Sequence, residues 1–314
     1  MRNKTLASAA LTGVVLLGAF SLTACADGGG SGDDGQLTVG VTVANSTNPF
    51  FVAESETAKE YGAEQGLKVL SQVANEDVQT QSNQIDQFVT SGVDFIVIDA
   101  ADTDGVGPAV KRAIEAGIPV IGVDNQSKNA SVNITTDNTQ AGEISCQSLA
   151  EQLDGTGKIA ILNGTPVSAV DDRVAGCKEA LKAFPGIEIV ADQRGENSRD
   201  AALPLATDIL TANPDLDGFF AINDPSAVGV MLAAKQKGSD IIITSVDGAA
   251  SATDVIADNG MITATSAQDP AELMRRAIDT GMELAKGGKP AETLILVPTT
   301  LVDASNVAEY TPWG

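Results

Sequence analysis

Side chains able to bind or react gather at a few places in this 314-residue chain. Asn45-Ser46-Thr47-Asn48-Pro49-Phe50-Phe51, Asp124-Asn125-Gln126, Asn223-Asp224-Pro225, Asp247-Gly248 and Gln268-Asp269-Pro270 each follow a short apolar run. Carboxylates accept hydrogen bonds and side-chain amides both donate and accept, so this set is equipped to grip a polar ligand. It is poorly equipped for catalysis. The chain has no histidine, which removes His-dependent triads, His-based proton transfer and His-ligated metals. A hydrolase would need an activated nucleophile or paired carboxylates with perturbed pKa. The available clusters, Asp171-Asp172 and Asp99/Asp102/Asp104, fall near expected helix starts, where acids complement the helix dipole, and read as structural. Asp102-Thr103-Asp104-Gly105 lacks the remaining ligand spacing and terminal glutamate of a calcium loop. No enzyme activity, cofactor or metal is therefore expected.

Helix capping accounts for part of the polar set. Asn48-Pro49, Asp224-Pro225 and Asp269-Pro270 place a capping residue before a proline at the first helical position. Capping suffices for Asp224 and Asp269 but explains Asn223, Asp247 and Asp124 less well. Nor does it explain Phe50 and Phe51, two phenylalanines in a first turn that cannot easily both face inward.

The elements that must position these groups alternate. Short runs read as strands over Leu37–Ala44, Leu67–Val73, Phe95–Ile98, Ile118–Val123, Lys158–Leu162, Ile187–Ala191, Gly218–Ile222, Ile241–Val246, Met261–Thr265 and Leu294–Val297. Between them, helices are expected near Pro49–Gln65, Val78–Ser91, Asp104–Ala116, Thr139–Leu153, Asp172–Phe184, Arg199–Thr211, Ser226–Lys237, Ala250–Asp258 and Pro270–Lys286. Strands apolar throughout, alternating with helices, imply parallel sheets covered on both faces. Right-handed crossovers then give doubly wound α/β domains, which bind ligands beyond the carboxyl ends of their strands. A weak internal echo pairs Ala109–Asn125 with Val230–Gly248: helix, glycine, apolar strand, then Val-Asp-Asn or Val-Asp-Gly.

Composition narrows the partners. A formal charge of −23 should repel nucleic acid and anionic lipid surfaces. At the start, Arg2 and Lys4 precede a mostly apolar Leu6–Leu22, too short to span and typical of an export signal. It ends Leu22-Thr23-Ala24-Cys25, which resembles a bacterial lipobox, so residues 1–24 are expected to be removed and Cys25 lipidated. Residues 26–35 hold five glycines and three aspartates, a flexible tether. An exported protein anchored by lipid to the outer face of the cell membrane follows, with Cys146 and Cys177 left to pair in an oxidising compartment.

Six motifs in order resemble the ribose-binding-protein-like sugar receptors, type 1 periplasmic binding proteins that serve ABC importers. They are Thr42–Gly66 with Asn48-Pro49-Phe50-Phe51, Val123-Asp124, Ser168–Gly176 with Arg173, Phe220–Asp224, Val246-Asp247-Gly248 and Ala264–Gln268. The resemblance spans about Leu37 to Val302. It implies two α/β domains joined by three crossovers, one of residues 36–136 plus 268–295 and one of 137–267 plus 296–314. It also implies a ligand held between them by Asn48, Phe50, Phe51, Asp124, Asn125 and Gln268 on one side and Arg173, Asn197, Asn223 and Asp247 on the other.

Sugar hydroxyls are donors and acceptors, vicinal pairs match a carboxylate or an arginine fork, and an aromatic face packs on sugar C–H groups. Asn125 replaces a second arginine of the ribose receptors, Asn197 a further aromatic, and Ala44 a hydroxyl residue. The expected ligand is therefore a neutral monosaccharide or sugar alcohol rather than ribose itself. The expected partners are that ligand and an ABC permease, the protein being a monomer with ligand-driven domain closure. Alanine at Asp247 or Arg173 should abolish binding and leave the ligand-free melting point nearly unchanged. The same fold could serve an amino acid, a nucleoside or a furanosyl signal, or a sensor. A repressor would need a DNA-binding head, against which the leader and the charge argue.

Overall fold

The computed structural model describes residues 35–313. The export signal, Cys25 and nearly all of the tether lie outside the described residues. Twelve strands and nine helices follow one another among those described. The first half runs β1 (Thr38–Val43), α1 (Pro49–Glu64), β2 (Lys68–Val73), α2 (Val78–Thr90), β3 (Phe95–Ile98), α3 (Gly107–Glu115), β4 (Val120–Val123) and β5 (Val132–Thr136). The second runs α4 (Asn138–Gln152), β6 (Thr156–Asn163), α5 (Ser168–Leu181), β7 (Gly186–Arg194), α6 (Arg199–Ala212), β8 (Gly218–Ala221), α7 (Asp224–Lys237), β9 (Ile242–Asp247), α8 (Ala250–Ala257) and β10 (Ile262–Ala267). Then α9 (Pro270–Ala285), β11 (Leu294–Val297) and β12 (Thr300–Asp303) close the chain.

The strands form two six-stranded sheets, ordered β11-β5-β4-β3-β1-β2 and β12-β10-β9-β8-β6-β7. All pairings are parallel except β10 with β12. The chain thus returns to the first sheet with α9 and β11, then crosses again to end on the second with β12. Fully buried runs such as Phe95-Ile96-Val97-Ile98 and Val120-Ile121-Gly122-Val123 read as strands because helices cover both faces. The sequence echo has a counterpart: β4 and β9 hold the same place in two equally ordered sheets, and Asp124 and Asp247 leave them with φ of 54° and 137°.

Two strands escape the sequence reading. β5, Val-Asn-Ile-Thr-Thr, and β12, Thr-Leu-Val-Asp, are short and half polar, and only pairing with β4 and β10 makes them strands. Helix α5 begins at Ser168 instead of Asp172, because its N-cap is Val167, whose side chain makes no capping bond and gives no start signal. Phe50 and Phe51 correct a second expectation. Both are buried, 3% and 6% exposed, with rings edge to face at 5.8 Å. The N-cap bond from Phe50 N to Asn48 Oδ1 (3.0 Å) fixes the turn so that one ring joins the other in the same core.

Candidate functional site

The predicted binding side chains converge on one narrow cleft between the two sheets, with only about 20 Å³ of free space left among them. Asn48, Phe50 and Phe51 enter it from the start of α1, and Asp124 and Asn125 from the end of β4. On the other side stand Arg173 from α5, Asn197 after β7, Asn223 after β8 and Asp247 at the end of β9; Gln268 follows β10. Val167, Ala169 and Val170 line it too, and were not read from the sequence. Their signal was the spacing Val167, Val170, Arg173, three residues apart and so on one helical face.

Arg173 is 4% exposed and held on several sides. Its Nε donates to Asn138 Oδ1 (2.8 Å) and its Nη1 to the Ile222 carbonyl (2.9 Å), with Asp247 Oδ1 3.5 Å from Nη1. Helices α4 and α5 approach closely enough to permit this because Gly142 faces the Arg173 carbonyl and Gly176 the Thr139 carbonyl, where a Cβ would collide. One turn further along, Cys146 and Cys177 form a disulfide with Cα atoms 5.0 Å apart, tying the same two helices together.

Asp247 Oδ1 also accepts from Gln268 Nε2 (2.7 Å), whose Oε1 accepts from Thr136 Oγ1 (2.7 Å). Burial pushes the Asp247 carboxyl well above its ordinary range, although Arg173 opposes this. Burial likewise raises Asp124 to about 6 against the pull of Arg173, and Asp124 Oδ1 has no protein partner. Asp224 is not the expected helix cap. The cap of α7 is Asn223, whose Oδ1 accepts from Ser226 N (3.0 Å), so capping does explain Asn223 in part. Asp224 instead reaches Thr265 Oγ1 (2.8 Å), Ala249 N (2.8 Å) and Ser245 Oγ, stitching β9 and β10 beneath the cleft. Asp269 caps α9 through Glu272 N (2.9 Å), as read from the sequence. Asn197 Oδ1 accepts from Thr165 N (3.0 Å), and Asn223 Nδ2 donates to the Asn197 carbonyl (3.2 Å).

The structural reading of the Asp99/Asp102/Asp104 cluster holds for two of its members. Asp102 Oδ1 accepts from Asp104 N (3.0 Å) in a surface turn, and Asp104 pairs with Lys128 (2.7 Å). Asp99 is different: it is fully buried behind Asn125, not at a helix start. Across the mouth, Gln126 N donates to Ser168 Oγ (2.8 Å) and Ser168 N to Thr103 Oγ1 (3.2 Å), so the two sides of the cleft touch. Trp313 was also missed, because a lone tryptophan near the chain end carries no pattern. Its Nε1 donates to the Gln268 carbonyl (2.9 Å) and Asp247 carbonyl (3.2 Å), and its ring lies edge to face on Phe50 at 5.4 Å.

Two doubly wound halves closing on a polar cup with one aromatic corner define a solute-binding receptor. The periplasmic binding protein domain matches residues 39–289, and the chain belongs to that family of extracytoplasmic solute-binding proteins. It is 28% identical to the ribose import binding protein of Bacillus subtilis, over 91% of this chain and 96% of that one. It is also 28% identical to the xylitol-binding protein of Mycolicibacterium smegmatis, over 95% and 86% respectively. Among solved structures, an ABC transporter solute-binding protein from Mycobacterium smegmatis with bound glycerol superposes with a TM-score of 0.85. The two are 31% identical, the match covering 89% of this chain and 99% of that one.

Proposed function

We propose that this protein captures a neutral monosaccharide or sugar alcohol in the cleft between its sheets and delivers it to an ABC permease. The observation that carries this reading is the cup itself: Asp124 and Asp247 face a single cation, Arg173, amid amide side chains and a pair of phenylalanines. An anionic ligand would meet two buried carboxylates, and an apolar one would leave buried polar groups unpaired. An amino acid would need a carboxylate clamp, and Arg173 already spends Nε and Nη1 on Asn138 and Ile222. The ligands of the relatives, ribose, xylitol and glycerol, belong to the polyhydroxylated class. The contacts are proposed to come from the ten residues named above, with residues 36–136 plus 268–295 forming one domain and 137–267 plus 296–314 the other.

A thermal-shift screen of pentoses, hexoses, polyols, amino acids and nucleosides tests this. A ligand at a hundred times its dissociation constant adds about 2.7 kcal/mol of stability, a readily visible rise in melting temperature. The expected result is a rise with a sugar or polyol; a rise with amino acids or nucleosides alone would sink the reading.

The motif Leu22-Thr23-Ala24-Cys25 and the glycine-rich tether support a lipid anchor that holds this receptor at the outer face of the membrane. Mass spectrometry of the mature protein should find a diacylglyceryl group on Cys25. An unmodified N-terminus at another residue would remove the anchor.

A further inference from the structure

Behind the wall that Asp124 and Asn125 present to the cleft lies a second layer of acid. Glu54 is fully buried on α1, on the face that also carries Phe50, Phe51 and Ala58 into the core. Asp99, at the end of β3, is fully buried as well. The two acids are neighbours in the core, and the charge of Asp99 raises the proton affinity of Glu54. If both were ionised, no donor would stand between them, and Glu54 Oε1, Glu54 Oε2 and Asp99 Oδ2 would all be buried without a partner. Two unpaired buried carboxylates side by side are far costlier than one shared proton. The other Asp99 oxygen, Oδ1, accepts from Asn125 Nδ2 (2.9 Å). Because Asp99 offers Asn125 only an acceptor, the amide must turn its NH2 inward. Asn125 Oδ1 is left buried, unpartnered and on the cleft wall, beside the equally unpartnered Asp124 Oδ1.

We propose that Glu54 holds a proton that it donates to Asp99, and that this carboxyl pair locks the Asn125 amide so that Asn125 Oδ1 and Asp124 Oδ1 together accept from two neighbouring hydroxyl groups of the ligand. Glu54 and Asp99 are positioning residues: they act through Asn125 and do not line the cleft. The inference rests on the sugar or polyol reading above and adds the selective element, a pair of acceptors that a ligand lacking either hydroxyl cannot satisfy.

The charges bearing on the pair are few. Glu54 on α1 is faced by Asp99 after β3 and by Asp124 after β4, and Asp124 in turn by Arg173 on α5. Burial, with the neighbouring acids, drives Glu54 well above the ordinary carboxylate range. The pH dependence of affinity then has two limbs. Ligand hydroxyls donate to ionised Asp124, so binding strengthens as pH rises through about 6. At higher pH the Glu54 proton is lost, the Asp99 contact turns repulsive, the amide is released and binding weakens.

Two measurements test the pair. In ligand-free wild-type protein labelled with carbon-13 at the glutamate carboxyl, one glutamate should remain protonated at neutral pH while the others are ionised. Glu54→Gln should remove that signal. If every glutamate titrates in the ordinary range, the proton is not there and the proposal falls; this needs no variant to fold. The second measurement uses the sugar or polyol found in the screen and its deoxy analogues. Glu54→Gln, a permanent donor to Asp99, should bind within about threefold of wild type at neutral pH and lose the high-pH limb. Asp99→Ala frees the Asn125 amide to rotate. The deoxy analogue that wild type rejects about ten- to hundredfold at the Asn125 subsite should then be rejected less than about threefold. Undiminished rejection by Asp99→Ala, or an unchanged high-pH limb in Glu54→Gln, overturns the mechanism. If no sugar or polyol binds wild type, the functional reading fails instead, and the labelled-glutamate titration still decides whether the proton is there.

Discussion

Arg173→Ala is expected to abolish ligand binding and also to lower the melting temperature of the ligand-free protein by on the order of 6–10 °C. The sequence suggests a smaller cost, since an arginine that waits for a ligand should not matter without one. The contacts of Arg173 argue for a larger one. Arg173 is the cation set against Asp247 and Asp124, and its Nε and Nη1 hold Asn138 on α4 and the Ile222 carbonyl at the end of β8. Removing one partner of a buried charge pair costs about 3–5 kcal/mol, chiefly because the other charge is left uncompensated.

The sign of the pH effect follows from Asp247 and Asp124, both raised by burial and held down chiefly by Arg173, with hydrogen bonds from Gln268 and the Asp224 amide also lowering Asp247. Without the cation their folded pKa values rise further, so the folded state takes up protons more readily than the unfolded chain. A raised carboxylate destabilises above its folded pKa and ceases to do so below its unfolded one. The deficit of Arg173→Ala should therefore be largest at neutral and alkaline pH and shrink towards pH 4. Adding Asp247→Asn should recover part of the loss, a coupling that differential scanning calorimetry of the four-protein cycle reads directly. An equal deficit at all pH values, or strict additivity, would place the cost in lost packing instead of the uncompensated buried charge.

Opening the Cys146–Cys177 disulfide should cost about 3–4 kcal/mol, from the loop of 31 residues that it closes in the unfolded chain. The Cys146→Ala, Cys177→Ala protein should melt on the order of 6–8 °C lower. Both cysteines are fully buried between α4 and α5, so alanine leaves a small apolar gap and no unsatisfied donor. The bond also lies one turn beyond Arg173 on α5 and two turns beyond Asn138 on α4. The glycine contacts of Gly142 and Gly176 keep those helices in register without it. Ligand affinity should thus fall only a few-fold while the melting temperature falls sharply. A loss of binding as large as that of Arg173→Ala would mean that the disulfide, and not the glycine contact, sets the α4–α5 spacing.

The sequence by itself determined the alternation of strands and helices, and with it two doubly wound sheets, because apolar runs bounded by polar helix starts allow few other arrangements. It also marked the strand ends at Asp124, Asn223, Asp247 and Gln268 as the place for chemistry, since ligands in such folds lie beyond those ends. What it left open depended on contacts between residues far apart in the chain. The half-polar β5 and β12 become strands only when β4 and β10 supply their hydrogen bonds. Phe50 and Phe51 read as too many rings for one turn, yet both are buried because the core of the first sheet and Trp313 surround them. Asp224 looked like a cap and proved to be a stitch to Thr265 and Ala249. Glu54 carried no signal at all: one acid in a helix with four glutamates reads as a solvated face. Tertiary packing alone decided that Glu54 would be the acid turned inward beside Asp99, where burial raises its proton affinity.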